Sequence, residues 1–291
     1  MRKNKKNNFN NNTVDSKLDV TLRRLHTQED YEACIVLQKM TWGEHFMECV
    51  PPAILMVSQK VGGVTAGAFD TRGKLLGFVF GLTGVKEGRL VHWSHMLAVR
   101  KDFRGHGIGT RLKLYQRELL LDLGIEVIYW TYDPLVARNA HLNLNRLGAK
   151  IQEYVPEMYG DDTGSDLHRG IGMDRFIVAW YIADEQVSKI ISGKLSVESA
   201  VFELTPVVNT QLREDGLPIP MEGELPLQPT LRIEIPSEIE VIQDESLELA
   251  AQWRANTRKA FLFYMERGYQ VTSFYRDPES GRCFYVLNKS A

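Results

Sequence analysis

The sequence predicts a mixed α/β domain followed by a smaller β-α-β-β block, and three observations predict it. Strand-like and helical runs alternate from Val20 to about Ala183, in an order that excludes a sandwich. Helix punctuation recurs where it is needed, with proline or aspartate at starts and glycine at ends. A proline-rich stretch of low periodicity, 205–230, then separates this unit from a last compact segment.

Taken in order, "VTLRRLHT" from Val20 reads as a strand. "QEDYEACIVLQKMTW" reads as a helix with Tyr31, Cys34, Leu37 and Met40 on one face, and Gly43 breaks it. "PPAILMVSQKVGG" is a second short helix with proline near its start and glycines after its end. The strands "VTAGAFD" and "LLGFVFGL" flank a "TRGK" hairpin turn. "RLVHWSHMLAVR" is the next strand; a glycine loop, the helix "TRLKLYQRELLLDLG" and the strand "EVIYWTYD" follow. In "DPLVARNAHLNLNRLG", Asp133 reads as N-cap, Pro134 as first helical residue and Gly148 as the closing glycine. The strands "AKIQEYVPEMY" and "DRFIVAWYI", around a polar "GDDTGSD" loop, complete a unit spanning 17–183.

A connector occupies 184–230. Residues 231–291 then read as strand "LRIEIP", helix "SLELAAQWRANTRKAFLFYMERG", and strands "YQVTSFYRD" and "CFYVLNK". That order matches the last four elements of the first unit, so the block is either a degenerate half-repeat or an unrelated α/β appendage. A unit of about 60 residues is marginal alone, so its apolar helix face is expected to dock on the larger one.

Composition narrows the function classes. The 291 residues are 44% hydrophobic and 25% charged, ordinary for a globular protein, and the net charge of −2 gives no global attraction to nucleic acid or anionic membrane. No apolar run approaches the roughly 18 residues of a membrane span. Cys34, Cys49 and Cys283 are scattered and lack metal-ligand spacing, which predicts reduced thiols in a cytoplasmic protein without a structural metal. "MRKNKKNNFNNN" is basic but has no apolar segment behind it, so it is read as a disordered tail, 1–16, and not as a signal peptide.

The chemistry concentrates in "HMLAVRKDFRGHGIGTRLK". Gly105, Gly107 and Gly109 alternate between a strand and a helix start. Such spacing lets backbone N–H groups converge on an anion, with the helix dipole behind them and Arg104 at the entrance. A P-loop would need Lys after Gly109, and a dinucleotide fingerprint would need glycine where Thr110 stands. The ligand expected is a phosphate or diphosphate.

Arg104-x-x-Gly107-x-Gly109 after "LAV" resembles the signature of the GNAT acetyltransferase superfamily, and the resemblance extends over 20–183 in element order. It implies a mixed, mostly antiparallel sheet flanked by helices, acetyl-CoA as acyl donor, no metal, and direct attack by the amine of a small molecule or peptide. By that resemblance Arg104, Gly105, His106, Gly107, Ile108, Gly109 and Thr110 hold the donor's diphosphate, and the backbone of Leu97, Ala98 and Val99 pairs with its pantetheine arm. Asn139 or Asn143 on the next helix would reach the same arm.

His95, as "H-M-L-A-V", resembles the proton-removing histidine of the arylalkylamine acetyltransferase branch, although Trp93 stands where that branch has a second one. A half-buried hydrogen-bonding role in the sheet is the other reading. His92 and His95 fall on opposite faces of a regular strand unless a bulge intervenes. Many family members carry an acidic tyrosine four residues before the closing glycine, where this chain has Leu144. Tyr154 or Tyr159 would substitute, or the thiolate leaves unassisted. Tyr264 stands at the corresponding place of the last helix and is read as packing. "TWGEHFMECVPP" should build the acceptor side, with Glu44 for a cation and Trp42, Phe46 and Met47 for apolar contact or core closure. The expected partners are acetyl-CoA and an amine, with no nucleic acid or membrane; a homodimer is compatible with the sequence. A non-catalytic acyl-CoA-binding module is the alternative function.

Overall fold

A computed structural model describes residues 19–160, 164–165, 170–195, 205–221 and 223–290. The expected N-terminal tail, and parts of the polar loop and connector, lie outside them. Strand β1 (Thr21–Arg24) enters helix α1 (Gln28–Trp42) through a capping box: Thr27 accepts from the Asp30 N–H, and Asp30 accepts from the Thr27 N–H. Arg23 grips the same carboxylate at 2.6 and 2.7 Å, which binds strand to helix and holds Asp30 down to about 2. Helix α2 (Pro52–Lys60) starts on its proline.

Strands β2 (Val64–Phe69), β3 (Leu75–Lys86) and β4 (Arg89–Val99) form an antiparallel meander. Helix α3 (Ile108–Leu121) crosses to β5 (Val127–Tyr132), which runs parallel to β4. Helix α4 (Ala137–Ala140) continues into a π turn, His141–Arg146. Strands β6 (Lys150–Val155) and β7 (Arg175–Tyr181) and helix α5 (Glu185–Ile191) complete the unit. The seven strands lie in the order β1-β2-β3-β4-β5-β7-β6, the mixed, mostly antiparallel sheet that the sequence predicted. One face packs on α1 and α2 through Leu37, Leu55, Phe78 and Phe80; the other covers α3 and α4 through Leu112, Trp130 and Trp180. No described helix is long and apolar enough to cross a membrane.

The fourth helix starts later than expected. Val136 is extended (ψ 93°), and α4 begins at Ala137 and not at Pro134. Asp133 does cap the Leu135 N–H at 2.8 Å, but its other oxygen is drawn into an ion pair with Arg254 at 2.6 Å, with Arg175 at 3.8 Å.

Beyond a small hairpin, β8 (Thr210–Leu212) and β9 (Pro218–Pro220), lies the C-terminal block: β10 (Thr230–Ile235), α6 (Ile239–Glu245), α7 (Leu247–Met265), β11 (Tyr269–Arg276) and β12 (Cys283–Lys289). The separate helix α6 is the feature the sequence reading lacked. The block's sheet order, β10-β12-β11, repeats β5-β7-β6, with antiparallel pairing throughout both. Corresponding edge strands even carry corresponding bulges, at Ile151/Glu153 in β6 and Val271/Ser273 in β11.

The block shares the core of the first unit. Phe261 meets Phe176 with ring centroids 4.8 Å apart, and Tyr285 donates to the Pro134 carbonyl at 2.9 Å. Arg254 of α7 also donates to the Ile171 carbonyl at 3.0 Å. Arg254→Met leaves Asp133 buried with one distant cation, so it should cost about 3 kcal/mol in urea unfolding with an unchanged m-value. Adding Asp133→Asn should recover part of that loss; an undiminished loss would place the cost elsewhere.

Candidate active site

β4 and β5 pair only at His92–Ile128 and Trp93–Tyr129 and then part, so the backbone edge of β4 from Ser94 to Val99 faces a gap. A bulge deepens the asymmetry. Phe80 pairs with Met96 and Gly81 with Ser94, which leaves His95 as the extra residue. Before it, His92 and Ser94 bond to Gln116 and Lys113 of α3; after it, Met96 and Ala98 join the α1–α2 core. The bulge comes after Ser94, so it does not bring the two histidines together. His92 lies buried between Gln116 and Thr83, and burial pushes it down to about 3. Gly81 is glycine of necessity, because a Cβ there would stand 2.2 Å from the His92 Nε2.

The gap opens into a cleft of about 610 Å³. His95, Leu97, Ala98, Val99, Arg104, Gly105, Gly107, Ile108, Gly109, Thr110 and Asn139 all line it. His106 does not: its imidazole folds back on the Arg104 carbonyl at 3.1 Å. Gly105 and Gly107 have φ of 83° and 71°, the left-handed region, and Gly107 serves as N-cap of α3 with no capping side chain. The N–H groups of Ile108, Gly109 and Thr110, in the first turn of α3, therefore lack an intrahelical partner. A diphosphate is the group such a helix start accommodates.

Elsewhere in the lining, Trp42 stacks on Phe46 at 5.4 Å, and both line the cleft with Glu48. Glu44 does not take part: it is exposed and paired with Lys39 at 3.2 Å. Met47 is exposed as well. His95 lies edge-on to Phe80 at 6.1 Å, and burial lowers it below the ordinary histidine value against the opposing pull of Glu48. A neutral imidazole at pH 7 is a competent proton acceptor.

Tyr154 must be removed from the site. It is buried outside the cleft, stacked on Phe261, with its hydroxyl donated to Asp174; burial and that carboxylate raise it above the ordinary tyrosine range. Tyr159 does line the cleft, with its hydroxyl 3.0 Å from that of Thr131. Leu144 is core, and Tyr264 is buried with its hydroxyl on the Pro226 carbonyl. The polar run on α4 has separate uses: Asn143 accepts from the Trp130 indole, and Asn145 donates to the Phe274 carbonyl of β11.

Sequence reasoning missed Lys113. It is fully buried at the closed end of the gap, its ammonium nitrogen 2.8 Å from the Ser94 hydroxyl and 3.8 Å from the centroid of Trp130. Burial holds it well below the ordinary lysine value. The available signal was a polar pair, Lys113 and Gln116, on the otherwise apolar face of α3.

A glycine loop at an uncapped helix start, opening between two splayed strands, makes a cleft with the geometry for a phosphate-bearing ligand. Residues 31–148 match the model of the Acetyltransferase (GNAT) family, and the chain contains a GNAT acetyltransferase domain. None of the curated proteins matches it. Among similar solved structures is the ribosomal-protein-S18-alanine N-acetyltransferase of Escherichia coli, 18% identical, with 56% of this chain and 94% of that chain covered at a TM-score of 0.43. A Salmonella typhimurium acetyltransferase solved with acetyl-CoA is 16% identical (57% and 95% covered, TM-score 0.44). An aminoglycoside 6′-acetyltransferase type Ii is 21% identical (56% and 97%, TM-score 0.43).

Lys113 gives a pH prediction with a fixed sign. Its folded value is depressed, so the unfolded chain binds a proton that the fold refuses, and stability rises with pH up to the ordinary lysine range. Lys113→Met should remove up to about 1.4 kcal/mol per pH unit of that slope between neutral pH and pH 10. Parallel stability curves for the two proteins over that range would show that Lys113 carries no such penalty.

Proposed function

We propose that the protein is an acetyl-CoA-dependent N-acetyltransferase acting on the amine of a small molecule or peptide. The observation that carries the reading is one cleft holding both an uncapped helix start and a half-buried histidine whose proton affinity burial lowers. Acetyl-CoA, when bound, supplies a thioester carbonyl for attack. Arg104 and the first-turn N–H groups of α3 would hold its diphosphate, and the unpaired edge of β4 would take the amides of its arm. N–H groups of that edge are also donors for negative charge developing on the carbonyl oxygen.

The remaining work falls to this chain's side chains. Trp42 and Phe46 bury the apolar body of the acceptor, and Glu48 draws its ammonium group into place. The imidazole of His95 takes a proton from that ammonium; the amine nitrogen then forms the new C–N bond as the C–S bond breaks, and the second proton that the nitrogen sheds replaces the one given to the leaving thiolate. Tyr159 is the hydroxyl in the cleft suited to return a proton to the thiolate. The acceptor reading follows from an aromatic pair beside a carboxylate, a combination suited to an apolar amine.

Gly109 is the better probe of the donor site. Its backbone is helical and a Cβ would meet only Leu97 and Val99 at 3.9 Å, whereas Gly107 has φ of 71° and resists any side chain. Gly109→Val should abolish acetyl-CoA binding in calorimetry with little change in Tm; retained affinity would reject the loop. His95→Gln should lower kcat/KM about 10²–10⁴-fold and erase the acid limb of its pH profile, which lies below the ordinary histidine value, while acetyl-CoA affinity stays the same. An unchanged profile would make His95 structural. Acetyl-CoA binding without CoA release across amine panels would favour the non-catalytic module.

A further inference from the structure

A second cavity, of about 1280 Å³, lies between the end of α1, the loop after β4, the start of α4 and the C-terminal block. It continues the first one, since Arg104, Val136, Arg138 and His141 line both. Its charge is lopsided in a way that the fold alone does not require. Arg100, Lys101, Arg104 and Arg276 converge on it, and among the described residues none of them pairs with a carboxylate. The Arg100 Nε is buried without a hydrogen-bond partner. Three acids also line the cavity, Glu238, Glu240 and Asp244; of these, Glu240 is spent on Arg138 at 2.6 Å. From the C-terminal block, Leu247, Phe274 and Cys283 add apolar wall.

Four unpaired cations around a cavity of this volume, with an apolar wall, suit a phosphorylated nucleoside. Arg104 is the hinge of the argument: it stands at the mouth of the glycine loop and in the second cavity at once. A molecule whose diphosphate occupies the loop would have its next groups delivered to the second cavity. We propose that this cavity receives the 3′-phosphoadenosine end of CoA, so that the C-terminal block, through Arg276 and Phe274, forms part of the donor site. The inference rests on the reading of the glycine loop as the diphosphate site. It goes beyond it by giving the block a recognition task.

The test compares CoA with dephospho-CoA, which lacks only the 3′-phosphate, by calorimetry at fixed ionic strength on the full chain. The wild type should bind CoA about tenfold more tightly than dephospho-CoA, the scale of one or two charge-assisted contacts. Arg276→Gln and Lys101→Gln should each shrink that ratio about threefold and leave dephospho-CoA affinity unchanged. Both residues are exposed, so unfolding curves should overlay the wild type. Arg267→Gln, an exposed change elsewhere in the block, should leave the ratio alone. Equal affinity of the wild type for the two ligands, or equal losses for both in Arg276→Gln, overturns the proposal while the loop reading stands. If neither ligand binds, or if CoA affinity survives Gly109→Val, the loop reading falls and this inference with it.

Discussion

The site follows from the parting of β4 and β5. Two parallel rungs join them, and beyond Trp93 the two strands have no partner in each other. Unpaired strand backbone inside a protein is costly unless something satisfies it, so the gap leaves the edge of β4 open to a pairing group. The bulge at His95 belongs to the same event. It reverses the facing of later residues, so that Ser94 points to α3 while Met96 points to the α1–α2 core. Lys113 and Trp130 fill the closed end, the Lys113 nitrogen lying 3.8 Å from the centroid of the Trp130 ring. The open end meets the start of α3, where the missing cap leaves N–H groups directed at the cleft.

A second constraint ties the C-terminal block to this arrangement. Asp133 ends β5 at the edge of the cleft and is buried between Arg175 and Arg254. A buried carboxylate is tolerable only with its cations in place, and one of the two comes from α7. The aromatic contacts among Phe176, Phe261 and Tyr285 make the same joint dry and closely packed. The floor of the cleft and the docking of the block are thus one structure. That explains the delayed start of α4: the residue that would cap the helix is the residue that anchors the block.

Element order and the glycine loop were legible because they rest on local rules, periodicity, caps, and glycine where φ must be positive; the mixed sheet came from the family resemblance that this order and loop carry. The matching topology of the block was legible for the same reason, although α6 was not, since Pro236 to Glu245 shows no strong apolar period. Tyr154 was misjudged because nothing local distinguishes a tyrosine facing Asp174 from one facing a cleft; that depends on which face of β6 the bulge presents. Glu48 lost to Glu44 for a like reason. The loop after α1 has no periodicity, so the direction of its side chains is set by packing of Trp42 against Phe46 and Phe78. Lys113 was hidden by its own chemistry, since a lysine on a helix normally reads as solvent-facing.

Charge in the cleft is for the most part either paired or suppressed by burial. Arg138 pairs with Glu240, Asp133 lies between Arg175 and Arg254, and His95 and Lys113 are both pushed by burial toward their neutral forms. Arg104, beside the glycine loop, is left without a carboxylate partner among the described residues. An amine brought against Trp42 and Phe46 loses part of its hydration, which favours its neutral form. On the proposed reading, burial would act on acceptor and base in the same sense: it would make the ammonium easier to deprotonate while it keeps the His95 imidazole neutral.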